Sequence, residues 1–153
     1  MPDRSNRPNV FTCSKTWSDL PFAHRAPHHD GHCRLLHGHN WSFRLTFYAE
    51  RRDENGFVVD FGKLKDLRQS LWDIFDHKLI LSQDDPLLSD IGCFLRDRQI
   101  ANITVVPDCS CEGIAEFVYG LSDAFVRKDT QGRARVVEVT VYEDSKNVAT
   151  FRP

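Results

Sequence analysis

The chain has 153 residues, of which 41% are hydrophobic and 27% are charged, a balance typical of a soluble globular protein rather than a disordered or fibrous one. Its 20 basic and 22 acidic residues give a net charge of −2, which disfavours nucleic acid as the main partner, because nucleic-acid-binding proteins usually carry a basic excess. The apolar runs fall well short of the roughly 18 residues of a membrane span, so we expect no membrane partner.

The N-terminal quarter of the chain predicts a flexible arm, a strand and a loop. Residues 1–9 are polar and lack the apolar core of a signal peptide, so they predict a flexible arm on a single domain spanning 1–153. Apolar and aromatic residues spaced among polar ones predict a strand over 10–18. The next segment, 19–36, is rich in His, Pro, Gly and Asp, which is typical of a loop.

The middle of the chain contains three clear patterns and one segment without any. Strict alternation of apolar and polar residues predicts a half-buried strand over 40–50. An Asn-Gly pair predicts a turn at 53–56, followed by a short returning strand at 57–61. Apolar residues three and four apart predict an amphipathic helix over 63–75, whereas 82–108 has no pattern that selects a structure.

The C-terminal third predicts a helix followed by two strands. Apolar residues at helical spacing predict a helix over 114–125, with Ser110 or Asp108 as its N-cap. Alternation predicts a strand over 134–143, and 147–152 predicts its partner. The order of elements predicts an α+β fold, in which an antiparallel sheet of four main strands carries two helices on one face. Such a sheet leaves exposed edges, which favours a homo-oligomer joined by sheet pairing.

Histidine is concentrated in one segment, since six of the seven His residues fall between His24 and His39. His37 and His39 begin the clearest strand, where residues i and i+2 project to the same side, about 6–7 Å apart. Two such imidazoles can reach one metal ion, with His24 as the favoured third ligand, although His-rich loops also occur without a metal. Three nitrogen ligands with an open fourth position are typical of a catalytic zinc. The other histidines of this segment are expected to be solvated: His28, His29 and His32.

Cysteine supplies the next candidate, because Cys33 lies four residues before His37. Its thiol can be a metal ligand, a small buried hydrophobic group, or a nucleophile or base. A thiol close to a divalent metal is partly ionised, and its thiolate can remove a proton from an acidified carbon. Cys109 and Cys111 flank a predicted helix start, where a structural role is favoured. The five cysteines contain no CxxC pair, which disfavours disulfides and indicates a reducing compartment, most simply the cytoplasm.

Two further positions carry acid–base groups. Asp76 and His77 are adjacent after the first helix, where the carboxylate can orient the imidazole as a proton relay; a His that simply ends a helix is the alternative. Glu143 continues the apolar face of the last long strand, so its carboxylate needs a partner if it is buried. A ligand with two adjacent N–H donors is one such partner, and a strand-end side chain in solvent is the alternative.

Together these residues resemble the 6-pyruvoyl-tetrahydropterin synthase family, and most closely its 6-carboxy-tetrahydropterin synthase branch. The Cys-x-x-x-His-Gly-His spacing matches that branch, whereas the pyruvoyl branch has a longer gap after the Cys. The resemblance covers about residues 10–153. It rests on segments that occur in the family's order: His24-Arg25, Cys33-Arg-Leu-Leu-His37-Gly38-His39-Asn40-Trp41, Gly56-Phe-Val-Val-Asp60-Phe61-Gly-Lys-Leu64-Lys, Asp76-His77-Lys78 and Val141-Tyr-Glu143.

The resemblance implies a T-fold whose subunits join their sheets into an oligomeric barrel, usually a hexamer made of two trimers. It implies Zn²⁺ on His24, His37 and His39, with the active site at a subunit interface. The roles that it implies for other residues are a proton-removing base, a proton relay and an anchor for the pterin ring: Cys33, Asp76 with His77, and Glu143, respectively.

The implied substrate is 7,8-dihydroneopterin triphosphate. Zinc would act as a Lewis acid on side-chain oxygens of the substrate, two protein groups would shuttle protons, and triphosphate would leave. The implied products are 6-carboxy-5,6,7,8-tetrahydropterin and acetaldehyde, which lead to queuosine and related 7-deazapurines. A pyruvoyl-type synthase or a paralogue acting on another pterin is the first alternative, and a T-fold metal-binding protein without catalysis is the second.

Some positions depart from the family's pattern. The usual Asn-Pro-Thr stretch at the second helix is replaced by Asp108-Cys109-Ser110-Cys111-Glu112, in which Ser110 and Glu112 are expected to retain the pterin-facing role. Residues 86–106 form a longer connection than is usual, and Ala26 stands where the family has Leu. These departures bear on which pterin is accepted.

Overall fold

The computed structural model describes residues 10–153, which form a six-stranded sheet and three α-helices. The predicted flexible arm at 1–9 lies outside the described residues. The elements, in chain order, are β1 (Phe11–His24), β2 (His37–Ala49), α1 (Lys65–Phe75), β3 (Lys78–Ser82), α2 (Leu88–Asp97), β4 (Asn102–Val106), α3 (Cys111–Asp129), β5 (Ala134–Tyr142) and β6 (Val148–Phe151). None of these helices is long and apolar enough to cross a membrane.

The strand order of the sheet is β4-β3-β1-β2-β5-β6. Strands β1, β2, β5 and β6 pair antiparallel, as predicted for the four main strands. Strands β3 and β4 pair parallel to each other, and β3 joins the end of β1 in parallel at Ala23 and Leu79. The prediction of a wholly antiparallel, four-stranded sheet with two helices is therefore wrong, because the segment without a pattern contains α2 and β4, and β3 lies directly before it where no element was predicted.

Most of the other predicted elements are confirmed with shifted boundaries. The strand predicted over 40–50 corresponds to β2. The two predicted helices correspond to α1 and to α3, which is longer than predicted. The predicted loop at 19–36 is wrong in its first part, because β1 continues to His24. The predicted return strand at 57–61 is also wrong. Its start is instead held in a turn by Asp53, whose Oδ1 accepts hydrogen bonds from the amides of Asn55 and Phe57.

The hydrophobic core lies between one face of the sheet and helices α1 and α3. The ring of Phe75, on α1, lies 5.3 Å from that of Phe43 on β2 and 6.2 Å from that of Phe117 on α3. By contrast, Gly92 is the one buried residue of α2, so this helix covers the sheet only loosely. At one end of the core Trp41 stacks on Phe22, with ring centroids 4.5 Å apart, and forms the floor of the candidate site.

A β-bulge interrupts β1 at residues 18–19. Trp17 pairs with Phe43 and Leu20 pairs with Trp41, so two residues of β1 lie opposite a single residue of β2. An extra residue of this kind reverses which side chains face the core. The buried positions of β1 accordingly change from the odd-numbered Trp17 to the even-numbered residues that follow: Leu20, Phe22 and His24.

The bulge determines the direction of the last residue of β1. Asp19 has a positive φ of 64° and accepts a hydrogen bond from Nδ2 of Asn40 at its Oδ1, 3.1 Å away. Asp is one of the few residues other than Gly that tolerate this conformation. Without the bulge, the strand alternation would turn the side chain of His24 to the opposite face of the sheet.

We expect Asp19→Val to lower the free energy of unfolding by about 1–2 kcal/mol, because a β-branched residue is strained at positive φ. Asp19→Gly should stay close to wild type, since Gly has no Cβ to strain. Thr16→Val, at an exposed position of the same strand, is the matched control. Urea unfolding of the metal-free protein measures all three, and equal stability of Asp19→Val and Thr16→Val would contradict the role assigned to the bulge.

Candidate metal centre

Three imidazoles meet where the end of β1 lies beside the start of β2. In the antiparallel register His24 is opposite His37, and Phe22 is opposite His39, so the three histidines share one face of the sheet. The ring centroid of His24 lies 4.6 Å from that of His37 and 5.6 Å from that of His39. The rings of His37 and His39 are 5.1 Å apart. The two strand ends thus bring together the three predicted ligands.

Glu143 adds a carboxylate to these imidazoles. It follows β5, which pairs with β2, and its Oε1 lies 3.1 Å from Nε2 of His24 and 3.5 Å from Nε2 of His39. Possible ligand atoms of all four residues lie within 4.8 Å of one another. The side chain of Glu143 is only 18% exposed, so it does not simply extend into solvent.

Backbone carbonyls orient two of the rings. Nδ1 of His24 lies 2.8 Å from the carbonyl oxygen of Cys109, and Nδ1 of His37 lies 2.7 Å from that of Leu35. A carbonyl oxygen can only accept, so both Nδ1 atoms carry a proton, and in the neutral form of each ring Nε2 holds the lone pair. Each ring therefore has the tautomer of a metal ligand whose other nitrogen donates to an outer partner.

Two nitrogen atoms of the centre are left without a partner among the described residues. Nε2 of His24 and Nε2 of His39 are buried, and within residues 10–153 neither has a hydrogen-bond partner. A lone pair of His24 therefore faces a carboxylate oxygen of Glu143, an arrangement that a bound cation would stabilise. Burial lowers the pKa of His24 below its ordinary value, which favours the neutral imidazole that a metal ligand must be. Three imidazoles suit Zn²⁺ and other divalent transition metals, and the carboxylate of Glu143 lies beside them.

Cys33 lies in the connection between the two histidine-bearing strands. It is the middle residue of a short 3₁₀ turn, His32–Arg34, and its thiol is free and half-buried. The amide of Ala26 donates to its carbonyl oxygen at 2.8 Å, which closes the loop that begins after His24. Cys33 is not one of the four residues that converge. Its position thus differs from that of a metal ligand.

Asp76 and His77 form the predicted pair directly after α1. Nδ1 of His77 lies 2.8 Å from Oδ1 of Asp76, and the ring is 80% exposed. The backbone of His77 has a φ of 53° and donates its amide hydrogen to the carbonyl of Pro21. The ring lines an open cavity of ≈ 620 Å³ that His39 also lines. The carboxylate therefore orients an exposed imidazole beside the candidate centre, as a proton relay requires.

Ser110 and Glu112 lie at the start of α3. Ser110 is the N-cap, because its Oγ accepts a hydrogen bond from the amide of Gly113 at 3.0 Å; this confirms one of the two predicted caps. The same hydroxyl donates to Asp108. Glu112 is exposed in the first turn. Cys109 directly precedes Ser110, and its carbonyl oxygen contacts Nδ1 of His24, so the start of α3 lies next to the histidines.

The remaining candidate thiol and histidines do not take part in the centre. The thiol of Cys111 is half-buried, and burial raises its pKa to about 12, with the carboxylate of Glu143 adding to the effect. The histidines expected to be solvated are all exposed: His28, His29 and His32. Of these, His28 contacts Asp84 at the surface, 3.0 Å away.

Some contributions to the centre were not predicted from the sequence. The carbonyl of Cys109 and the bulge at Asp19 both orient His24, and neither has a signal in residue type or spacing. Glu143 was predicted to need a partner, and the histidines are the partners that the structure supplies. Glu143 continues the every-second-residue pattern of the buried Val139 and Val141 on β5, and this pattern identified it in the sequence.

Comparisons with known proteins identify the family. The profile described as 6-pyruvoyl tetrahydropterin synthase matches residues 12–153. A protein named 6-carboxy-5,6,7,8-tetrahydropterin synthase from Rickettsia typhi is 40% identical over 87 residues, which are 56% of this chain and 57% of that protein. A protein of the same name from Bacillus subtilis is 27% identical over 98% of this chain and 90% of its own length. In the first of these alignments the chain thus spans little more than half of the relative's length.

Solved structures show the same fold at low sequence identity. An uncharacterized protein from Wolinella succinogenes has a TM-score of 0.80 at 18% identity, and the match covers 94% of this chain and 98% of that one. The Caenorhabditis elegans 6-pyruvoyl tetrahydropterin synthase has a TM-score of 0.64 at 22% identity, over 96% of this chain and 98% of that one. The sequence profile and these structures agree, and the chain belongs to the 6-pyruvoyl tetrahydropterin synthase family.

Proposed function

We propose that this chain is a zinc-dependent synthase that converts 7,8-dihydroneopterin triphosphate and one water molecule to 6-carboxy-5,6,7,8-tetrahydropterin, acetaldehyde and triphosphate. The single observation that carries the proposal is the pair of buried Nε2 atoms, of His24 and His39, that lie beside the carboxylate of Glu143 without a hydrogen-bond partner within residues 10–153. The names of the Rickettsia typhi and Bacillus subtilis relatives support the carboxy branch. A cytoplasmic location and a place in queuosine synthesis stay predictions.

In this proposal His24, His37 and His39 hold the metal. Two of the rings present Nε2 because backbone carbonyls accept from their Nδ1 atoms. When bound, Zn²⁺ would supply Lewis acidity, which makes a C–H bond beside a substrate oxygen more acidic. The buried rings of Trp41 and Phe22 form the floor of the centre on its core side.

The remaining residues move protons or hold the pterin. Sγ of Cys33 is proposed to take a proton from the substrate side chain as its thiolate. Asp76 holds the proton of His77 on Nδ1, so Nε2 of that ring is available to give or receive a proton on the exposed side. The carboxylate of Glu143 is proposed to accept two N–H groups of the pterin, with Ser110 and Glu112 near the ring.

We expect Glu143→Gln to raise KM roughly 10- to 100-fold, because an amide replaces a charge-assisted acceptor with a weaker one. The three histidines remain, so zinc content should stay close to wild type. Glu138→Gln is the matched control, since Glu138 lies on the same strand region and pairs with Arg152 at the surface. Steady-state kinetics and metal analysis test this, and loss of zinc from Glu143→Gln would contradict the role of Glu143 as a pterin anchor.

We also propose a homo-oligomer whose sheets pair edge to edge, as in an oligomeric barrel. Among the described residues β4 and β6 are edge strands, and β3 covers β1 only near Ala23. Uncovered strand edges favour pairing with another chain. Sedimentation at micromolar concentration should show several subunits, with a hexamer as the expected state, and a monomer would contradict this proposal.

The function is tested by zinc analysis together with identification of the products from 7,8-dihydroneopterin triphosphate. Bound zinc, acetaldehyde and the 6-carboxy product are expected. The pyruvoyl product without acetaldehyde would overturn the branch assignment. Zinc binding without any consumption of the dihydropterin would instead support a metal-binding protein without catalysis.

A further inference from the structure

The tautomer of His24 depends on one carbonyl group. Nδ1 of His24 lies 2.8 Å from the oxygen of Cys109, and the His24 side chain is only 5% exposed. Cys109 lies between β4 and α3, outside any helix or strand. A small displacement of this carbonyl would remove the acceptor that keeps the proton on Nδ1. Something must therefore hold Cys109 in place if Nε2 is to face the candidate metal.

Ser82 and the thiol of Cys109 hold that carbonyl. The amide of Cys109 donates to Oγ of Ser82 at 2.9 Å, and this hydroxyl donates to Sγ of Cys109 at 3.1 Å. The thiol in turn donates to the carbonyl of Arg25 at 3.0 Å. Ser82 is 3% exposed and Cys109 is 1% exposed, so water does not compete for these contacts.

These contacts join the end of β3 to the residue that follows His24. Ser82 is the last residue of β3, and Arg25 directly follows His24 at the end of β1. Nε of Arg25 lies 3.2 Å from Oδ2 of Asp85, whose side chain is fully buried. The amide of Asp85 also donates to the carbonyl of Ser82. Cys109 therefore lies at the centre of a buried network that contacts His24 from behind.

We propose that Ser82 and Cys109 are positioning residues that keep His24 in the Nδ1-protonated tautomer and thereby raise the affinity of the centre for Zn²⁺. This inference rests on the proposed metal site. Residues that hydrogen-bond to metal-binding side chains typically contribute 10- to 100-fold to the affinity for the metal. The pair acts through a backbone carbonyl, so the expected loss lies at the lower end, about 10-fold.

The first test measures Zn²⁺ affinity of the full chain by competition with a chelating dye. Ser82→Ala and Cys109→Ala should each weaken binding about 10-fold. Ser82→Thr and Cys109→Ser keep a donor and an acceptor, so they should retain most of the affinity. Ser122→Ala is the matched control, since Ser122 is fully buried and its hydroxyl has no partner within residues 10–153. An equal loss in Ser122→Ala would overturn the inference.

The second test uses metal-free protein and ¹⁵N NMR of the imidazoles, with His24→Asn to assign the signals. Wild type should show a single Nδ1-protonated tautomer for His24, and Ser82→Ala should show a mixture. If wild type binds no Zn²⁺, the proposed function fails while this measurement still tests the positioning. Unchanged tautomer and affinity in Ser82→Ala and Cys109→Ala would overturn the inference. If the Ala variants do not fold, loss of the tautomer in Ser82→Thr or Cys109→Ser would overturn it instead.

Discussion

Replacing His39 by Ala should remove zinc from the protein and abolish turnover. His39 is one of three proposed nitrogen ligands, and its Nε2 is buried without a hydrogen-bond partner in the part of the chain that the structure describes. Its loss leaves two imidazoles, which cannot complete the three-ligand set of a catalytic zinc. The expected loss of affinity therefore exceeds the roughly 10- to 100-fold that outer partners contribute.

The measurement is zinc content after dialysis, with the dissociation constant from chelator competition and the rate of dihydropterin consumption. His28→Ala is the matched control, because His28 also contacts a carboxylate, that of Asp84, but both side chains are about two-thirds exposed, at 66% and 67%. Surface pairs of this kind contribute little. Wild-type zinc affinity in His39→Ala would show that this ring is not a ligand.

Replacing Cys33 by Ala should leave zinc bound but lower kcat by roughly 10²- to 10⁴-fold, the usual contribution of a general base. Cys33 is outside the group of four converging residues, so its removal does not change the ligand set. The thiol is free and half-buried in the loop between β1 and β2, and the carbonyl of Cys33 accepts from the amide of Ala26, two residues after His24. The remaining turnover would come from the metal and from substrate binding.

Cys93→Ala is the control for Cys33→Ala, because Cys93 is another free thiol that lies exposed on α2. Single-turnover rates and metal analysis of both variants separate chemistry from zinc binding. Wild-type kcat in Cys33→Ala would contradict its role as the base. Loss of zinc from Cys33→Ala would show instead that the sulfur belongs to the metal site.

Local sequence patterns were sufficient to predict the strands and helices that bury one face and expose the other. The alternation of β2 identified a strand whose apolar residues face the core, and His37 and His39 at its start were predicted to project to the same side as each other. Helix α1 was predicted because Leu67, Leu71 and Phe75 lie on one side of it. In both cases a side chain's environment follows from its spacing within one element.

The segment from β3 to β4 could not be predicted in this way. Strand β3 is buried along almost its whole length, from Leu79 to Ser82, so it shows no alternation. Helix α2 buries only Gly92, so its sequence lacks the apolar stripe of a packed helix. Both elements depend on partners distant in sequence, which a local pattern does not contain.

The same division applies to the candidate centre. Residue order alone determines that His37 and His39 project together, because side chains of one strand alternate with a period of two. Only the folded chain could decide that His24 and Glu143 join them. His24 faces the centre because the bulge at Asp19 reverses the alternation of β1. Glu143 reaches it because β5 pairs with β2 in one register, and hydrogen bonds between distant strands set that register.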